Sequence, residues 1–589
     1  MPVAEAKPAS SANKDWIRAL ERTARIDQAP ARTFPVVIGE LAEIYGEAPA
    51  LLSDTEQLSF RGLADRALAY ARWALGEGLG KGDVVALIMP NRPEYLAIWL
   101  GLSRVGVIVA LINTELRGPS LAHCLTVAGP RRIIVDARLE AALFAALGDN
   151  DAPPVWTHGK GARGAPRIDL VLTAGGDIDC AAPVTLSDTA LLIYTSGTTG
   201  LPKAARVSHR RVMSWSHWFA GLTNAQPTDR LYACLPMCHS AGGVAAIGAA
   251  LVGGASVVIA PKFSASRFWD EIARWDCTLF QYIGELCRYL VGSPPHPKER
   301  AHALRLCIGN GLPGDVWTAF QDRFAIPRIL EFYAATEGSF SLYNVDGKPG
   351  AIGRIPAFLS HRFPAAIVRY DADAGAPARD AAGFCIPCDR GEPGEAIGRI
   401  ADDAGAGRFE GYTDAGETAK KVLRNVFIPG DAWVRTGDLM YTDDQGFWWF
   451  VDRVGDTFRW KGENVATTEV AAALRACPGV AAAAVYGVAV PGQPGRAGMA
   501  AVVPEPDFDL TAVRERLKAV LPDYARPLFL RLVTNLEVTE TFKPKKQALA
   551  AEGYDPALVT DPLYLDDRTG YVPLDAAVFG RLQTGELRL

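Results

Sequence analysis

At 589 residues the chain is too long for a single hydrophobic core, and about two to four domains are expected. Hydrophobic residues make up 49% and charged residues 22%, the balance of a folded globular protein. A net charge of −5 gives no reason to expect nucleic acid or an acidic membrane surface as a partner.

Met1 to Asn13 is rich in Ala, Lys, Pro and Ser without an apolar core, so no secretory leader is expected. Asp15-Trp-Ile-Arg-Ala-Leu20 onward reads as a short amphipathic helix, expected to pack on its own domain rather than on a membrane. Phe60 to Leu75 has apolar residues at helical spacing, and Asp83 to Met89 reads as a strand. The most apolar window, Tyr95 to Ile112, is interrupted by Arg104 and Gly106. It reads as a buried helix followed by a strand, Val107 to Ile112, and not as a transmembrane span. Arg132 to Asp136 is a further strand. Such βαβ text predicts an α/β fold with a mostly parallel sheet covered on both faces. The pattern resumes at Ala255–Ala260 and Leu304–Ile308.

Between a buried strand at Thr189–Ile193 and a return strand at Ala204–His209 lies Tyr194-Thr-Ser-Gly-Thr-Thr-Gly-Leu-Pro-Lys203. Gly197 and Gly200 let backbone N–H groups converge on one point. Thr195, Ser196, Thr198 and Thr199 add hydroxyls, and Lys203 adds a mobile positive charge. The loop suits a polyphosphate, although the G-x-x-x-x-G-K-[ST] spacing of nucleoside triphosphatases is absent. A polar hairpin turn is the bland alternative.

Gly309-Asn-Gly-Leu-Pro-Gly314 matches G-x-G-x-x-G, and Glu331 ends the next strand. That pattern supports an NAD-linked dehydrogenase as a competing reading, but it leaves the loop at 194–203 without a role. Glu331-Phe-Tyr-Ala-Ala-Thr-Glu337 then joins an aromatic face to a second carboxylate. Thr436-Gly-Asp438 offers a carboxylate on a glycine turn, suited to two ribose hydroxyls. Val451 to Asn464 is densely charged, and Thr539 to Lys546 forms a basic loop. Cys385-Ile-Pro-Cys388 has no second pair at zinc spacing and is expected to be a turn with incidental thiols.

In this order the motifs resemble the adenylate-forming superfamily of acyl-CoA synthetases and luciferases over nearly the whole chain. Phe263 to Trp269, Gln281 to Leu290, Gly455 to Val465, Gly495 to Ala501 and Tyr524 to Leu530 resemble its fatty-acid-transport-protein, or very-long-chain acyl-CoA synthetase, branch. The resemblance implies an N-terminal extension over 1–34, a large adenylation domain over 35–452 and a small mobile α+β domain over 453–589. It implies ATP and Mg2+, with coenzyme A as co-substrate, and a fatty acid activated as acyl-AMP with loss of pyrophosphate. No nucleic acid partner is implied. The expected location is cytoplasmic, with any membrane contact peripheral at the inner face, and the oligomeric state is open.

The resemblance also implies roles. Tyr194, Thr195, Ser196, Gly197, Thr198, Thr199, Gly200 and Lys203 would hold the β- and γ-phosphates, with Thr195 and Glu337 on magnesium. Gly309, Asn310, Gly311, Glu331, Tyr333 and Ala334 fall in the adenine-binding stretches, and Thr336 would contact the α-phosphate. Asp438 and Arg453 would take the ribose. Lys543 would touch the α-phosphate and carboxylate oxygens. His239, Gly242 and Gly243 would stand where the acyl tunnel meets the nucleotide, the glycines giving it width, with Ile283 and Gly284 as further lining. Gly455 would be the hinge, with Asp456 as its neighbour in that role, and Arg459, Lys461 and Gly462 would face coenzyme A. Ala334 and Phe542 replace glycines usual in the superfamily. The alternatives are a ligase for a bile-acid-like or carnitine-like acid, and a non-catalytic fatty-acid-binding or uptake protein.

Overall fold

The computed structural model describes the chain except residues 1–10, 149–151, 174, 176–177, 179–181, 196–200, 339, 373, 401–408, 462, 494, 540–543, 585 and 588–589. It divides into two compact units, one of residues 1–364 with 399–422 and one of 365–398 with 423–589.

The first unit is built on two sheets. One runs, in spatial order, Val155–His158, Arg132–Asp136, Val84–Ile88, Ile108–Leu111, Thr189–Thr195 and Lys203–Ser208. Its neighbours are parallel until the last pair, which is antiparallel. The other has eight strands, with Ile329–Ala334, Leu306–Asn310 and Leu279–Ile283 side by side and parallel near one edge. Parallel strands are buried on both faces, which is why Val85 to Ile88 is a continuous apolar run.

The helices follow from pattern and caps. Ser59 accepts from the Gly62 N–H at 2.9 Å and starts the helix Phe60–Gly76. Phe60, Leu63, Ala67, Tyr70 and Ala74 fall on its buried side. The next helix, Pro93–Arg104, lies so close that a Cβ at Gly101 would meet the Ala67 carbonyl oxygen at 2.2 Å. The N-terminal helix Ala12–Thr23 packs on its own unit, against His209–Thr223. Trp16 is 2% exposed and meets Trp218, Tyr343 and Phe363 at 5.6 to 6.2 Å between ring centroids. Asp15, fully buried, is paired with Arg18 and Arg328.

The described residues of the second unit include two hydrophobic cores. A small one gathers Val368, Cys385, Ile397, Val426 and Trp433. The larger begins at Phe458 and fills a five-stranded sheet ordered Val480–Ala489, Arg496–Pro504, Phe529–Leu532, Leu563–Asp566 and Tyr571–Pro573. The passage from one core to the other between Trp433 and Phe458 supports a domain boundary near 453, which stays a proposal. The division into compact units falls elsewhere, because residues 365–398 and 423–452 fold with the C-terminal part. Among the described residues, no helix is long and apolar enough to cross a membrane. No group of three His, Cys, Asp or Glu residues suited to a metal ion occurs among them.

Candidate active site

In the first unit, Thr195 and Lys203 face each other across the antiparallel ladder and set the base of the loop. Tyr194 points the other way. It is 7% exposed and its hydroxyl donates to the Cys124 carbonyl at 2.6 Å, so its ring anchors the strand. Beside the loop runs the segment Gly411–Thr413, held to the return strand by Arg206 N–H to Gly411 O at 3.1 Å and Thr413 N–H to Ala204 O at 2.9 Å. That register places Tyr412, whose hydroxyl donates to Glu337 Oε1 at 2.6 Å and is hydrogen-bonded to Thr195. Burial and the Glu337 charge hold the Tyr412 hydroxyl protonated, far above the usual phenol range.

Glu337 is 7% exposed, and Lys421 Nζ approaches its Oε1 at 3.6 Å. Lys203 is paired with Glu417 and lies 5.9 Å above the Tyr412 ring. The loop Thr336–Gly338 is gripped by Arg211, which donates to Thr336 O at 2.5 Å and Gly338 O at 3.1 Å. The Thr336 hydroxyl lies 2.9 Å from that of Ser240. Ser240 opens a π-helical turn, Ser240–Ala245, directly after His239, which is partly buried.

The turn after strand Leu306–Asn310 is built around close backbone approaches. A Cβ at Gly309 would meet Tyr282 O at 2.1 Å, and one at Gly284 would meet Gly311 O at 1.8 Å. Gly311 has φ +75°. Glu331 is 2% exposed. It accepts from the Tyr282 hydroxyl at 2.5 Å and from Leu312 N–H at 3.1 Å. Burial raises its pKa to about 8 despite these donors. The half-buried Tyr333 lies at the end of its strand, 6.0 Å from Phe340, and Ala334 beside it is exposed.

In the second unit, Asp438 and Arg453 are direct partners across an antiparallel ladder, with Nε to Oδ1 at 3.7 Å. The sequence reading of a glycine turn changes here: Gly437, at φ +77°, lies within the strand Ala432–Thr442, directly before Asp438. Glu395, fully buried, accepts from Gly437 N–H at 3.2 Å and grips Arg435 at 2.8 to 3.1 Å. After Arg453 the chain turns at 454–456, with the N–H groups of Asp456 and Thr457 both donating to Arg453 O at 3.0 Å. Arg459 and Lys461 sit on the hairpin Phe458–Trp460 and Glu463–Val465, with Lys461 at φ 52°.

Residues 40–363 match the AMP-binding enzyme family, and residues 469–543 match the AMP-binding enzyme C-terminal domain. The chain belongs to the AMP-binding enzyme family. Long-chain fatty acid transport protein 1 of Mus musculus is 40% identical over 571 residues, 95% of this chain and 88% of that protein. Long-chain fatty acid transport protein 3 of Homo sapiens is 42% identical over 529 residues, 87% of this chain and 76% of that protein. In fold, the chain matches an anthranilate CoA ligase in complex with anthranoyl-AMP at a TM-score of 0.75 and 21% identity, covering 88% of this chain and 96% of the other. ATP-bound MatB from Rhodopseudomonas palustris matches at a TM-score of 0.74 and 24% identity, covering 89% and 98%. The expected α/β adenylate-forming fold, with a large N-terminal and a small C-terminal domain, is therefore the fold of this AMP-binding enzyme.

The first unit thus gathers Thr195, Lys203, Thr336 and Glu337, and it sets Gly309, Asn310, Gly311 and Tyr333 on adjacent strand ends. Ser196, Gly197, Thr198, Thr199, Gly200, Gly462 and Lys543 lie outside the described residues. Several readings change in detail. Gly243 does not supply tunnel width, because a Cβ there would stand 1.8 Å from Met237 O. At Gly242 it would stand 2.7 Å from Pro236 O. Both let the π-helical turn pack on the strand exit. Gly284 meets the Gly311 backbone instead of lining a tunnel, and Ile283 is 8% exposed. The carboxyl of Glu331 faces inward, so it holds the glycine turn and cannot take a ribose hydroxyl as the dinucleotide reading requires. Sequence reasoning missed Arg211, Ser240, Tyr412, Glu417 and Lys421. The one available signal was Glu410-Gly-Tyr-Thr-Asp414, a turn string with a buried aromatic.

Proposed function

We propose that this AMP-binding enzyme joins a long-chain or very-long-chain fatty acid to coenzyme A by way of an acyl-adenylate, releasing pyrophosphate and then AMP. The observation that carries the proposal is the cluster of Thr195, Lys203, Tyr412 and Glu337 at the base of the glycine loop. The likeness to long-chain fatty acid transport proteins supports the choice of acid. The chemistry demands that a carboxylate approach a polyphosphate, anion on anion, so positive charge and N–H donors must be placed in advance.

Lys203 would supply that charge on the β- and γ-phosphate side, and the uncharged loop 196–200 is the proposed source of N–H and hydroxyl donors. Arg211 and Ser240 hold Thr336 in place for the α-phosphate. The Gly309–Gly311 turn, braced by Glu331, and Tyr333 beside it are the proposed adenine side. In the second unit Asp438, directly after Gly437, suits the two ribose hydroxyls. Glu337 and Thr195 are oxygen donors linked through the Tyr412 hydroxyl. With only two protein oxygens, the set fits an ion such as magnesium that keeps waters and substrate phosphates in its shell. Bound there, magnesium would neutralise phosphate charge.

Lys543 is the proposed contact to the α-phosphate and acyl carboxylate, delivered by rotation of residues 453–589 about Gly455. Arg459, Lys461 and Gly462 are the proposed coenzyme A side. An apolar acyl site adds about 0.8 kcal/mol per buried methylene, which favours long chains. We place the protein in the cytoplasm, with membrane contact at most peripheral.

The test is pyrophosphate release from ATP and magnesium across a panel of free fatty acids, with and without coenzyme A. Release that depends on fatty acid, with acyl-CoA formed once the thiol is added, is the expected result. Release without acyl-CoA would move the acyl group to another acceptor. Release only with bile-acid-like or carnitine-like acids would move the substrate class.

A further inference from the structure

The segment Glu410–Lys421 carries charges that pair with both halves of the phosphate site. It leaves the edge of strand Lys203–Ser208 at Gly411–Thr413 and turns into the helix Ala415–Lys420, where Asp414 accepts from Glu417 N–H at 2.8 Å. This capped turn presents Glu417 to Lys203, the cation at the end of the glycine loop. One step later it presents Lys421 to Glu337, 3.6 Å from Oε1. An anion thus stands against the phosphate-side lysine, and a cation against the metal-side carboxylate.

We propose that Glu417 and Lys421 are internal counter-charges of the nucleotide site, and that a magnesium nucleotide binds by exchange with them. Glu417 stands where phosphate oxygens must reach Lys203, and Lys421 competes with a divalent cation for the Glu337 oxygen. The inference rests on the ligase reading above and adds a regulating element to that site. Two features suit the segment to exchange. Glu417 has a second partner, Lys420, at 2.6 Å, so it stays paired when Lys203 turns away. Tyr412 bonds both Thr195 and Glu337 and need not move, so the site keeps its shape while the charges change places. Desolvating Glu337 without a cation would be costly, and Lys421 supplies one.

The experiment is titration calorimetry of ATP, with and without magnesium and without fatty acid, on full-length wild type, Glu417→Gln and Lys421→Met, together with their melting temperatures. Partly exposed ion pairs of this kind correspond to about two- to fivefold in affinity. Glu417→Gln is expected to tighten ATP by that factor whether or not magnesium is present. Lys421→Met is expected to do so only with magnesium, and both variants are expected to melt at or below the wild-type temperature. Weaker binding in either variant would mean that the residue grips the nucleotide, and unchanged binding in both would mean no exchange. Each of these outcomes overturns the proposal and leaves the ligase reading standing. A wild type that binds no ATP under any condition would sink the ligase reading, and this inference with it.

Discussion

Glu331→Gln tests how the Gly309–Leu312 turn is held. The Glu331 carboxyl is 2% exposed and its pKa rises from 4.5 to about 8, burial outweighing the Tyr282 hydroxyl and the Leu312 and Gly311 N–H groups. A raised value means that the folded protein keeps a proton that the unfolded chain has lost. The contribution to stability is full below pH 4.5 and is lost as pH climbs to about 8. Over the whole interval that loss is at most about 5 kcal/mol, and from pH 6 upward about 2–3 kcal/mol. Glutamine copies the shape of the neutral carboxyl and cannot ionise. At pH 4.5 the variant should therefore unfold in urea within about 1 kcal/mol of wild type. By pH 6 it should be the more stable protein by about 2 kcal/mol, and by pH 9 by about 4–5 kcal/mol, read from the first unfolding transition. Identical pH slopes for the two proteins would refute the reasoning, because the carboxyl would then be ionised in its pocket.

Four further outcomes are expected, the first two from the proposed roles and the last two from the geometry. Lys543→Ala should abolish acyl-AMP formation, read as ATP–pyrophosphate exchange, while sparing thioester formation from supplied acyl-AMP; equal loss of both would remove its assigned role. Gly455→Pro should impair one half-reaction much more than the other, and equal mild effects would move the hinge. Gly243→Ala places a Cβ 1.8 Å from Met237 O and should cost about 1–3 kcal/mol by overpacking; an unchanged melting temperature would show that the π-helical turn is looser than described. Trp16→Ala should cost about 3–5 kcal/mol in denaturant unfolding, because the ring is buried among Trp218, Tyr343 and Phe363. A loss below about 1 kcal/mol would mean that the N-terminal helix is not docked.

The parallel sheets were legible because buried strands such as Arg132–Asp136 read as apolar runs between helical stretches. The base of the glycine loop was legible because two glycines and a terminal lysine sit within ten residues of one another. What stayed hidden is whatever depends on distant segments meeting. Tyr412 and Lys421 lie far along the chain from Thr195 and carry no periodic signal, and the strand pairing at Gly411–Thr413 with the Ser208–Glu410 contact brings them to the loop. Glycines misled for a related reason. Gly243 and Gly284 read as open space, whereas each is required by a backbone carbonyl pressing on it from another segment. Glu331 misled because a carboxylate at a strand end reads as a ligand contact, and nothing in the text shows that Tyr282 claims it from within.

The basic loop and the hinge can be judged together. Three lysines, at 543, 545 and 546, compete for the proposed catalytic role. Lys545 Nζ lies 3.5 Å from Glu537. Lys546 donates to Asp456 at 3.0 Å and to the Thr467 hydroxyl at 2.8 Å. Both are engaged by their own part of the chain, which strengthens the proposal for Lys543. The same contacts bear on the hinge. Asp456 is tied through Lys546 to the C-terminal core, so it would travel with that domain. Asp452, on the other side of the turn, accepts from Thr467 N–H and, at 3.3 Å, from its hydroxyl, and Val451 O accepts from Thr468. A rotation that begins at Gly455 must break these contacts to Thr467 and Thr468 while leaving Asp456 with Lys546. On the proposal that the domain turns here, these contacts favour Gly455 over Asp456 as the hinge, and the Asp452–Thr467 contact would resist the change.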